Sequence, residues 1–151
     1  ETTQSYPSPL EVLESISPAL SSESDYANKK TGLHLAAKYN CLECVRYFSD
    51  KIIDVDIIDK NGWSPLTIAA RYNHPEILQL LIQKGADVNR SDNAGWTALM
   101  FAAYNGHLEN AELLIKKEAD HTLTNRDGDT ALSLAQSQGH LKIVQILQNL
   151  G

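Results

Sequence analysis

The sequence predicts an all-α fold in which helix-turn-helix units, joined by β-turn or hairpin loops, stack into a solenoid. Three observations carry this expectation. The tetrapeptides Thr31-Gly-Leu-His34, Ser64-Pro-Leu-Thr67, Thr97-Ala-Leu-Met100 and Thr130-Ala-Leu-Ser133 recur at a step of 33 residues, and self-similarity at such a period marks a repeat architecture. Small pairs follow at a constant offset: Ala36-Ala37, Ala69-Ala70 and Ala102-Ala103, with Ala135-Gln136 in the last copy. A turn glycine precedes three of the copies, at Gly62, Gly95 and Gly128.

In chain order, residues 1–25 form an acidic, Ser-rich leader with five acids (Glu1, Glu11, Glu14, Glu23, Asp25) and no Lys or Arg. Within it, about residues 8–16, Ser8-Pro-Leu-Glu-Val-Leu-Glu-Ser-Ile16 reads as a short helix suited to capping the array. The alternative is a disordered leader with a chance apolar pattern. Repeats then occupy about 26–58, 59–91, 92–124 and 125–151.

Each repeat opens on a turn. Asp59-Lys-Asn-Gly62 and Asp92-Asn-Ala-Gly95 place glycine where positive φ is tolerated. The hydroxyls of Ser64, Thr97 and Thr130 suit an N-cap, and Pro65 suits the first helical position. Alanine pairs keep the first helix thin, while the second carries bulk such as Ile77, Leu78, Leu80 and Leu81. Gly85 stands where that helix should stop. No unit of this size buries its apolar face alone, so stability must come from stacking.

The ends of the array differ from its middle. Gln136 and Gln148 replace apolar residues in the fourth copy, as a polar outer face requires, so the solenoid is expected to end there. Ser49 is polar at the same position in the first copy and weakens that inference. The first copy is worn: Lys29 replaces the turn glycine, and Asn40-Cys41 stands where Gly106-His107 and Gly139-His140 recur.

Over roughly residues 26–151 these motifs resemble the ankyrin repeat family. The resemblance implies a concave face made of turns and first helices, structural hydrogen bonds from the motif histidines (His34, His74, His107, His140), and a tail, Ile143 to Leu150, of capping type. It also implies contacts at turn tips and first-helix ends. Those positions give Lys30, Trp63, Trp96 and Asp129, then Lys38-Tyr39, Arg71-Tyr72, Tyr104-Asn105 and Ser137-Gln138. Candidate partner-binding residues are therefore Lys38, Tyr39, Trp63, Arg71, Tyr72, Trp96 and Tyr104, since Trp, Tyr and Arg dominate interface hot spots. The competing reading is that the aromatics merely pack over their own turns.

The expected function is a non-enzymatic protein–protein interaction module, a scaffold or adaptor that binds through the concave surface. The alternative is a regulatory or targeting region of a larger signalling enzyme such as a protein kinase. A start at Glu1 fits a piece of something longer. Outside the leader, 13 basic residues stand against 14 acidic ones, a poor match to nucleic acid. No apolar run reaches bilayer length, so no membrane partner is expected. The chain is expected to be a monomer on its own, located in the cytoplasm, with a nuclear location also compatible.

Neither a cofactor nor a metal is expected. Cys41-Leu-Glu-Cys44 has the spacing of half a zinc site or a redox pair, but lacks a second ligand pair and a βαβ setting. Cys44 shares its register with Ile77 and Ile143, so the two cysteines read as reduced and structural. Asn110 occupies that same apolar register position and needs either a buried hydrogen-bond partner or a loosened repeat. Glu118 replaces the glycine seen at Gly85.

Overall fold

The computed structural model describes residues 31–51 and 54–150. The acidic leader, the helix expected at about 8–16 and Lys30 lie outside the described residues. Among those described, eight helices follow one another with no strand: α1 (Gly32–Lys38), α2 (Leu42–Lys51), α3 (Pro65–Arg71), α4 (Pro75–Gln83), α5 (Ala98–Asn105), α6 (Leu108–Lys116), α7 (Ala131–Gln138) and α8 (Leu141–Asn149). A lone bridge pairs Ser91 with Thr97.

Every first helix starts on a hydroxyl cap. Thr31, Ser64, Thr97 and Thr130 accept the backbone N–H of His34, Thr67, Met100 and Ser133, each cap contributing about 1 kcal/mol. The alanines at 36–37, 69–70 and 102–103 are fully buried. With no side-chain bulk between them, α1, α3, α5 and α7 stack more closely than α2, α4, α6 and α8 do. The array therefore bends toward its first helices, which makes that side concave. The core runs through every interface, from Leu33 and Val45 through Leu66, Ile77 and Leu81 to Leu99, Leu114 and Ile143.

The motif histidines join neighbouring repeats. Nε2 of His74, His107 and His140 meets the carbonyl oxygens of Lys38, Arg71 and Tyr104 at 3.0, 3.1 and 3.0 Å. A carbonyl only accepts, so each Nε2 carries the proton. His34 is turned differently: its Nε2 reaches the Trp63 carbonyl at 2.8 Å while Nδ1 accepts the Thr31 N–H.

The turn tips form a second seam. Oδ1 of Asp59, Asp92 and Asn125 each accepts two backbone N–H groups of its own turn. Between repeats, Asn93 N–H donates to Asn61 and Arg126 N–H to Ala94, both at 3.0 Å.

The departures from the repeat pattern have physical accounts. Asn40 and Asn73 take left-handed φ of 59° and 61° where repeats 3 and 4 have glycine, a conformation asparagine tolerates. Glu118 is forced into the same region, with φ 62°. Asn110 is fully buried and finds partners: Nδ2 donates to the carbonyls of Ala69 and Ala70 at 3.4 and 3.3 Å, while Oδ1 has none. Gln136 and Gln148 stand in solvent, whereas Ser49 is buried with its hydroxyl on the Arg46 carbonyl.

The expectation of two reduced cysteines is corrected. Cys41 and Cys44 are joined as a disulfide, with their Cα atoms 5.2 Å apart. One turn at the start of α2 brings the pair within disulfide reach. The burial expected of Cys44 holds, since it is fully enclosed.

Candidate interaction surface

The seven candidate residues sit at the two ends of the first helices of repeats 1–3. Lys38, Arg71 and Tyr104 hold equivalent places at the ends of α1, α3 and α5. Tyr39 and Tyr72 are the C-caps that follow, and Trp63 and Trp96 directly precede the N-caps Ser64 and Thr97.

These side chains form one connected series. The Arg71 guanidinium carbon lies 4.3 Å from the Trp63 ring centroid and 5.7 Å from that of Tyr72. Lys38 Nζ stands 5.6 Å from the Tyr39 ring and 5.9 Å from the same Tyr72 ring. A cation over a ring face is drawn to the negative centre of the π quadrupole. On the other side, Trp96 lies 5.0 Å from Phe101 and meets Tyr104 edge-on at 5.4 Å.

Phe101 is the member that sequence reasoning missed. Its ring bridges the two tryptophans, edge-on to Trp63 at 6.3 Å, and lies 6.0 Å from the Arg71 guanidinium. The available signal was register: Phe101 shares the floor position of Leu35 and Ile68, and it alone of the three is aromatic.

Exposure divides the labour. Tyr39, Tyr72 and Tyr104 are 61%, 40% and 39% exposed, whereas both tryptophans are half-buried. Trp63 Nε1–H donates across the repeat boundary to Asp92 Oδ2 at 2.9 Å. The tryptophans thus build the floor, and the tyrosines pack at its edge while keeping much of their ring surface exposed.

Between repeats 1 and 2 the surface dips into a cleft lined by His34, Leu35, Lys38, Trp63, Ile68 and Tyr72, with a volume of about 20 Å³. That is room for one water, well short of the roughly 300 Å³ of a small-molecule site. Among the described residues, no group of three His, Cys, Asp or Glu side chains converges to hold a metal ion.

The family model for ankyrin repeats (3 copies) matches residues 10–92 and 88–151. The chain belongs to the ankyrin repeat family. Ankyrin repeats generally serve as protein–protein interaction modules. No curated protein matches this ankyrin chain in sequence. Among its described residues no helix is long and apolar enough to cross a membrane.

Proposed function

We propose that this ankyrin chain is a non-enzymatic scaffold or adaptor that grips a partner protein with the concave stripe of repeats 1–3. One observation carries the reading: three exposed tyrosines border a floor in which Arg71 is already held over Trp63 and Trp96 packs on Phe101. Rigid aromatic handles bury large area at low entropic cost. A surface whose side chains are already fixed loses less freedom on binding than a loose one.

The test is partner capture with the wild-type chain and a Tyr39→Ala, Tyr72→Ala, Tyr104→Ala triple variant as baits. These rings are exposed and lie outside the buried core, so their removal should leave the repeats folded, which circular dichroism checks. A partner held by the wild type should be lost by the variant. Undiminished capture by a folded variant sinks the placement.

A further inference from the structure

We propose that the stripe receives an acidic segment of its partner, with a carboxylate side chain seated on the guanidinium of Arg71 and a neighbouring acid facing Lys38. This rests on the reading of the stripe as the docking surface and names what that surface takes.

Arg71 is a held but unspent donor. The rings of Trp63, Tyr72 and Phe101 surround its guanidinium carbon at 4.3, 5.7 and 6.0 Å. Trp63 is fixed in turn by its indole bond to Asp92, and the backbone beneath Arg71 is fixed by His107. A guanidinium held over a ring spends none of its N–H groups on side-chain hydrogen bonds there, which leaves them for a bidentate carboxylate.

Among the described residues no acid bonds to it. Among the described residues the ion pair is Lys84 with Asp50, which lies between the outer helices. Asp92 is engaged, with Oδ1 on the Ala94 and Trp96 N–H groups and Oδ2 on Trp63. Asp59 is buried in its turn. Lys38 and Arg71 both lie near the Tyr72 ring, at 5.9 and 5.7 Å from its centroid. The missing charge complement is an acid from outside, flanked by apolar side chains for the tyrosines.

A random peptide library displayed on phage, panned on the immobilised chain, tests this. Selected peptides should be enriched in Asp or Glu beside an apolar residue. Synthetic copies should bind Arg71→Gln about tenfold or more weakly, the loss expected of a charge-assisted pair. Arg71→Lys should not restore binding, and added salt should weaken it. Peptides that need the three tyrosines but show no acidic enrichment, or that bind Arg71→Gln equally well, overturn the acidic partner and leave the surface standing. Peptides indifferent to the tyrosine triple variant overturn the surface itself. An empty selection overturns both.

Discussion

The imidazole Nε2–H of His107 donates to the backbone carbonyl of Arg71 across 3.1 Å, from the start of one repeat's second helix to the end of the preceding repeat's first. The bond ties the stacking of repeats 2 and 3 to the placement of the Arg71 side chain. His107→Ala should lower stability by about 1–2 kcal/mol, the cost of leaving a part-buried carbonyl unpaired. Urea denaturation reads the loss, and unchanged stability would remove the histidine from the interface energetics.

Two turn glycines separate conformational strain from contact. Gly62 and Gly128 have nearly the same φ, +78° and +81°, but a Cβ on Gly62 would lie 2.6 Å from Asn93 Oδ1, while Gly128 has nothing within 4 Å. Gly128→Ala should cost about 1 kcal/mol, from φ alone. Gly62→Ala should cost at least about 2 kcal/mol, because it also pushes on the Asn93–Asn61 bond between turns. Equal losses would mean that the seam yields freely.

Asn110 is the point where the buried interface is most sensitive to charge. Asn110→Asp cannot donate to the Ala69 and Ala70 carbonyls and puts a carboxylate where no solvent reaches. A loss of about 3–5 kcal/mol at neutral pH follows. Asn110→Val removes the unpartnered Oδ1 along with two long hydrogen bonds, so it should change stability by less than about 1 kcal/mol. Thermal unfolding of the pair checks both.

Burial raises the Asp56 carboxyl above the ordinary carboxylate range, outweighing the hydrogen bond from the Asp87 backbone and the charge of Arg90, with Asp54 and Asp87 adding to the rise. The folded chain thus holds this proton more tightly than the unfolded one. Stability from this group rises as pH falls through the raised pKa, and the gain is complete below the unfolded value, about 4. Asp56→Asn should be the more stable protein at pH 7, with the gap closing as pH falls through the raised pKa and gone below about 4. A gap independent of pH would contradict the shift.

The Cys41–Cys44 disulfide makes both sulfurs inert to alkylation. A maleimide should label neither until reductant is added. Cys41, half-buried, should then react before Cys44, which is fully enclosed. Labelling without reductant, followed by mass spectrometry, would contradict the pairing.

Repetition made the fold legible. A 33-residue step places Thr31, Ser64, Thr97 and Thr130 at the same cap, so each copy corroborates the others. Register likewise placed Lys38, Arg71 and Tyr104 on one face. It did not show that Arg71 lies over the Trp63 ring, because that contact depends on side-chain torsions rather than position. Phe101 looked like ordinary floor beside Leu35 and Ile68 until its ring was seen between two tryptophans. The disulfide was missed because Cys44 fits the apolar register of Ile77 and Ile143, and register says nothing of bonding.

The histidine staples join each repeat to its neighbour, at a separation of 36 residues in all three cases. Pulled from its two ends, such a chain carries tension through its interfaces in series. Every interface bears the same load, and the array yields one repeat at a time, weakest first. Each rupture frees one 33-residue unit, a lengthening of about 110 Å at the reach of an extended chain. A machine that threads this protein from one end therefore meets a succession of low barriers in place of a single high one.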